Sequence, residues 1–170
     1  MSTRFTIRHT FEIDLEGYWR DIFFDKEFNR RMYTEALGFR YELAEMNTAP
    51  DGTITRTARL DPPFDIPGPA RVLFPQGLGY TETGRFDPAQ KRWTYRMTPK
   101  VLAEKLATGG VFWVEPRGSG RVERICEVDI AVKVFGVGGF IEAFIEKLTR
   151  ESYDKASLFT RDYLSAKKSA

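Results

Sequence analysis

The chain has 170 residues, enough for one domain with a sizeable core and few for two. Its formal net charge of +2, with no Lys/Arg block interleaved with aromatics, argues against a nucleic-acid partner. A single cysteine, Cys126, excludes an intrachain disulfide and a cysteine-built zinc site, and no stretch approaches the ~18 apolar residues of a membrane span. The first residues lack an apolar h-region, so no signal peptide is expected and the cytoplasm is the expected location. Aromatic residues make up 14% of the chain, which suits either a thick core or an apolar pocket.

From Arg4 to Ile13 the residues alternate, with Phe5, Ile7, His9, Phe11 and Ile13 on one face, which predicts a half-buried strand. Asp14 is placed to cap a helix carrying Leu15, Tyr18, Trp19, Ile22 and Phe23. Asp25 is placed to cap a second, with Phe28, Met32, Ala36 and Leu37 on its apolar face and Gly38 as its left-handed terminator. Phe39–Met46 and Thr53–Leu60 read as strands joined at Asp51-Gly52, a strong hairpin signal. Pro62–Gly79 then breaks the pattern with five prolines, yet it carries Phe64, Ile66, Val72, Leu73, Phe74 and Leu78. Loops are usually polar, so this one is expected either to cover one end of the core or to form a lid over a cavity mouth.

Tyr80–Asp87 and Arg92–Thr98 form a second hairpin, with Trp93, Tyr95 and Met97 sharing a face. After a connector at Pro99–Lys105, Ala107–Pro116 reads as a strand with Phe112 and Val114 on one side and Val111 and Trp113 on the other. Gly118-Ser119-Gly120 turns the chain into Arg121–Val134, the longest alternating run, with Val122, Arg124, Cys126, Val128, Ile130, Val132 and Val134 in one phase. A glycine hinge (Gly136, Gly138, Gly139) opens a helix of about 28 residues, or some 40 Å. Ile141, Phe144, Ile145, Leu148, Ser152, Ala156, Phe159 and Tyr163 fall on one face of it. That face is bulky at both ends and small in the middle, at Ser152 and Ala156, which leaves room for a partner backbone or a ligand. Glu146/Arg150 and Glu151/Lys155 are expected to pair on the wet side, and Lys167–Ala170 to fray. Consecutive strands joined by tight turns are antiparallel, and seven of them need one face covered. Only the last helix is long enough to do so.

Four runs carry a resemblance: FFDKEFNRRMYTEALGF (23–39), YTETGRFDP (80–88), VKVFGVGGFIEAFIEK (132–147) and SYDKASLFTRDYL (152–164). The chain resembles the START-like, or helix-grip, superfamily, and most closely a bacterial family of that superfamily known as domain of unknown function 2505. The resemblance implies an α+β fold spanning residues 1–170 as a single domain. In that fold a curved seven-stranded antiparallel sheet has two short helices after its first strand, and a long C-terminal helix lies across its concave face. It also implies a deep, mostly apolar cavity between sheet and helix. The residues expected to line it are Trp93, Tyr95, Met97, Phe112, Val114, Arg124, Val128, Ser152, Ala156 and Phe159, with Phe64, Ile66, Phe74 and Leu78 as the gate.

No residue set argues for catalysis, metal or cofactor. His9 is the only histidine, which is too few for a metal site, and it reads as a hydrogen-bonded core or rim residue. Cys126 lacks a neighbouring base, and VFGVGG lacks a phosphate-loop lysine, so it reads as a hinge. Arg56 and Arg124 fall on inward phases and need partners; Glu82 is placed to supply one, and a ligand carboxylate or phosphate is the other candidate. The expected function is therefore non-catalytic binding, transport or sensing of a hydrophobic, lipid-like small molecule. A transient contact with a membrane surface through Val137 and Phe140 is part of that expectation. The alternatives are a polyketide cyclase- or hydratase-like enzyme using His9, Arg124 or Tyr95, and a filled scaffold that binds a protein partner.

Overall fold

The computed structural model, which describes residues 2–170, holds one antiparallel sheet of seven strands. These are β1 (Ser2–Phe11), β2 (Arg40–Thr48), β3 (Ile54–Asp61), β4 (Tyr80–Asp87), β5 (Arg92–Pro99), β6 (Leu106–Pro116) and β7 (Val122–Val132), in the order β1-β7-β6-β5-β4-β3-β2. From β2 to β7 each strand pairs with the next in sequence, so the chain crosses from one sheet edge to the other only once. The helical pair α1 (15–23) and α2 (26–36) makes that crossing from β1 to β2. Ile13 and Val134, expected in the first and last strands, lie just beyond their ends.

The helix ends follow the capping chemistry of the sequence. Asp14 Oδ1 accepts from Gly17 N at 2.8 Å and Asp25 Oδ1 from Phe28 N at 2.6 Å. Gly38 ends α2 at φ +69°, a left-handed conformation that glycine adopts without a Cβ penalty. Both helices widen into π turns, Tyr18–Phe23 and Met32–Ala36, where Phe24 N reaches back to Trp19 O and Leu37 N to Met32 O. Asn29 ties the two helices together, its amide donating to the carbonyls of Ile22, Phe23 and Asp25 at 2.7–3.1 Å.

The proline-rich segment contains one short helix, α3 (Gly68–Arg71), and buries Ile66, Ala70 and Phe74. The C-terminal helix, α4 (Gly138–Lys168), is 31 residues long and packs over β1 and β7. Its start is fixed in two ways. A Cβ at Gly138 would stand 3.0 Å from Val132 O, so glycine allows the close approach. Glu142, 2% exposed, accepts from Val132 N and from Thr3 Oγ1, both at 3.0 Å. On the wet side Arg150 pairs with Glu146 at 2.8 Å as expected, while Glu151 pairs with Lys147 at 3.8 Å and not with Lys155.

Aromatic residues from α1 and the sheet fill one end of the concave space. Trp19 meets Phe23, Phe24, Phe86 and Phe112 at centroid distances of 4.8–5.9 Å, and Phe23 meets Trp93 at 5.2 Å. The rest of that space is not filled.

Candidate functional site

Between the sheet and α4 lies a cavity of about 210 Å3. The sheet contributes Trp93, Tyr95, Met97, Leu106, Thr108, Phe112, Arg124 and Val128 to its wall, all on the inward phase of their strands. From α4 come Ile145, Leu148, Thr149, Ser152, Tyr153, Ala156 and Thr160. Phe64, Phe74 and Leu78 of the proline-rich segment complete one end.

Three residues expected at the site stand elsewhere. Val114, the next inward residue after Phe112 along β6, is buried in the core and is not part of the cavity wall. Phe159 lies between α4 and α2, against Phe28 at 5.7 Å and Tyr163 at 6.4 Å, with the Arg31 guanidinium 5.7 Å from its ring centroid. Ile66 points from the proline-rich segment into the core and is not part of the cavity wall. Val137 is half-buried against the core, so the exposed apolar residue of the hinge is Phe135, fully open to solvent, joined by the half-exposed Phe140.

Sequence reasoning missed the contribution of α1 and α2, which bring Tyr18, Ile22, Phe23, Phe28, Asn29, Met32 and Tyr33 to the same cavity. It also missed Tyr153, whose hydroxyl lies 3.3 Å from Cys126 Sγ; the Tyr95 hydroxyl lies 3.5 Å from the same sulfur. Burial pushes both phenols well above their ordinary range and raises the Cys126 thiol, so all three keep their protons. Thr149 and Thr160 donate to the carbonyls of Ile145 and Ala156 one turn back, so their hydroxyls are spent on the helix.

Two arginines enter the cavity, and they are treated differently. Arg56 reaches Glu82 Oε1 at 3.4 Å and Phe23 O at 3.1 Å, between the rings of Phe23 and Trp93. Burial holds the Glu82 carboxyl above its ordinary value, and the opposing pull of the Arg56 charge is the smaller effect. Arg124 Nη2 instead donates to His9 Nδ1 at 3.0 Å, its direct cross-strand neighbour in the β1–β7 register. Its guanidinium lies 5.0 Å from the Tyr153 centroid and 5.1 Å from that of Phe11.

An arginine cannot accept a hydrogen bond, so His9 Nδ1 is the acceptor and Nε2 carries the proton, which it donates to Asp154 Oδ1 at 2.8 Å. Burial, and next the Arg124 charge, hold the His9 pKa below its ordinary value, against the pull of Asp154. The unfolded chain takes up a proton at about pH 6.5, and folded His9 does so only at lower pH. Between those values the unfolded state binds more protons, so stability falls as pH falls through that window and is fully present above it. Urea unfolding at pH 7.5 and pH 5 is expected to show a loss in the wild type that His9→Gln reduces. An equal loss in both proteins would contradict the neutral, half-buried His9.

The chain belongs to the DUF2505 family, described as a protein of unknown function, whose model matches residues 6–164. Several solved structures share its fold. The ZhuI aromatase/cyclase from Streptomyces sp. R1128 superposes with a TM-score of 0.67 at 12% identity, over 96% of this chain and 93% of that one. Norcoclaurine synthase from Thalictrum flavum, in complex with dopamine and hydroxybenzaldehyde, gives 0.62 at 12% identity over 97% and 88%. A START superfamily protein from Mycobacterium smegmatis gives 0.60 at 14% identity over 95% and 98%. No curated protein is significantly similar to the chain. The fold is therefore START-like, the helix-grip architecture that the sequence resemblance implies. Such a fold hosts unrelated functions, so the argument for function rests on the site. Among the described residues no helix is long and apolar enough to cross a membrane, and no cluster of side chains is arranged to hold a metal.

Proposed function

We propose that this protein binds a small hydrophobic molecule in the cavity beneath α4 and carries or senses it without chemical change. The observation that supports this most is the cavity itself, about 210 Å3 of space walled mainly by aromatic and aliphatic side chains. The proposed contacts are Trp93, Tyr95, Met97, Phe112, Arg124, Val128, Ser152 and Ala156, with Phe64, Phe74 and Leu78 at the entrance. Pockets for drug-sized ligands run to roughly 300–1,000 Å3, so the size favours a compact body over a long-chain lipid. Burial of its apolar surface, at ~25 cal/mol per Å2, is the main source of affinity. Any contact with a lipid surface during exchange would be made through Phe135.

The protonation states favour holding over turnover. The Tyr95 and Tyr153 phenols and the Cys126 thiol are pushed toward their neutral forms, and both His9 nitrogens are engaged. A cyclase-like reaction would need a base, and the one carboxylate on the wall, Glu82, is engaged by Arg56 at 3.4 Å.

Denaturing mass spectrometry of organic extracts from the purified protein tests the reading. A compact hydrophobe at near one-to-one stoichiometry supports it; a protein that carries nothing and takes up no apolar dye overturns it. Ser152 faces the cavity and is half-buried, so Ser152→Phe is expected to fill the space, expel the molecule and leave the fold intact. Unchanged binding in that variant would contradict this placement of the molecule.

A further inference from the structure

The charges inside the cavity do not balance. Its wall carries three charged side chains, Arg56, Glu82 and Arg124, and the first two face each other at 3.4 Å. Arg124 is 7% exposed, yet among the described residues no carboxylate lies within ion-pair distance of it. Its hydrogen-bond partner is His9, a neutral acceptor in this arrangement. The nearest acid along that chain of contacts is Asp154, which bonds the far side of the imidazole and is itself largely solvated. A guanidinium does not shed its proton, so burial leaves a full positive charge with ring faces beside it and its one side-chain hydrogen bond, among the described residues, to a neutral nitrogen.

Resting on the reading above, we infer that the molecule bound here carries a single negative charge, a carboxylate on a compact hydrophobic body, and that Arg124 receives it. The guanidinium fork matches a carboxylate in two parallel hydrogen bonds. One unpaired cation matches one negative charge. A phosphate monoester carries about −1.5 to −2 and would leave negative charge buried without a partner. The rest of the wall, Trp93, Phe112, Leu106, Met97 and Val128, suits an apolar, flat body.

Calorimetric titration at pH 7.5 with 2-naphthoate and with 2-naphthalenemethanol, two bodies of one shape and different charge, tests this. The naphthoate is expected to bind roughly ten- to a hundredfold more tightly, the range of a charge-assisted hydrogen bond. Arg124→Met is expected to erase the preference, bringing the affinities for the naphthoate and the alcohol within about twofold of each other. Equal affinities in the wild type, a preference for the alcohol, or a preference for naphthoate that survives Arg124→Met would each overturn the inference while leaving the cavity a binding site. If neither compound binds, the reading of the cavity falls and the inference with it. If Arg124→Met does not fold, Arg124→Gln takes its place, and the wild-type preference alone still decides whether an anion is required.

Discussion

Replacing Glu82 by leucine is expected to lower the unfolding free energy by about 3–5 kcal/mol, the usual result of leaving one partner of a buried ion pair behind. Arg56 and Glu82 sit on neighbouring strands, where Ala58 pairs with Glu82 and Arg56 with Gly84 in the β3–β4 register. Their side chains are 7% and 13% exposed. With the carboxylate gone, the Arg56 guanidinium keeps the Phe23 carbonyl and the rings of Phe23 and Trp93 but no opposing charge. The double variant Arg56→Met, Glu82→Leu is expected to recover most of the loss, because two apolar residues of similar volume replace two desolvated ions. Urea midpoints for wild type, both single variants and the double variant check this. A single-variant loss below about 1 kcal/mol would show that the pair is solvated and not part of the cavity wall.

Gly110→Ala is expected to cost roughly 3 kcal/mol, at the upper end of overpacking penalties, or to prevent folding outright. Gly110 lies on the inward phase of β6, opposite Tyr95 on β5 and Val128 on β7. A Cβ there would stand 2.1 Å from the Glu127 carbonyl oxygen and 2.9 Å from the Tyr95 hydroxyl. The first of these is backbone and cannot rotate away, so the β6–β7 ladder must distort. The second is the phenol bonded to Cys126, so the cavity wall moves as well. Gly68→Ala is the control: a Cβ there meets nothing within 4 Å, and its expected effect lies within about 0.5 kcal/mol of zero. Thermal or urea unfolding of the two variants, side by side, separates the close approach from the general effect of adding a methyl group.

The features legible in the sequence were the local ones. Strand alternation in β1 and β5, the Asp14 and Asp25 caps and the Gly38 terminator depend on residues within a few positions of each other, and each formed as the pattern placed it, except that β1 runs over Ser2–Phe11 and leaves Ile13 out. The long helix was also legible, but its buried face was not fully so. The pattern places Ile141, Phe144, Ile145, Leu148, Ser152, Ala156, Phe159 and Tyr163 on that face; Ile141 and Ala156 are buried and Ile145, Leu148 and Ser152 line the cavity, but the buried positions also include Glu142, Ser157 and Thr160. Those polar residues are satisfied by Val132 N, by Thr3 and by carbonyls of their own helix, partners that hydrophobic periodicity does not register.

Charge pairing failed to be legible for a different reason. Glu82 was a candidate partner for either inward arginine, and only the strand order decides between them. β4 lies beside β3 and three places from β7, so Glu82 meets Arg56 and leaves Arg124 to His9. The closure of β1 onto β7, which sets His9 opposite Arg124, joins residues 115 positions apart. The size of the cavity was likewise hidden, because α1, read as a support, places Trp19 and Phe23 inside the concave space.

The central claim is that a hydrophobic molecule occupies the space between the sheet and α4. The most direct measurement is of intermolecular NOEs between 2-naphthalenemethanol and methyl-labelled protein. Contacts are expected to the methyls of Met97, Leu106, Val128 and Ile145, which line the cavity from sheet and helix together. Contacts confined to Val111 on the opposite face of the sheet, or none at saturating probe, would contradict it.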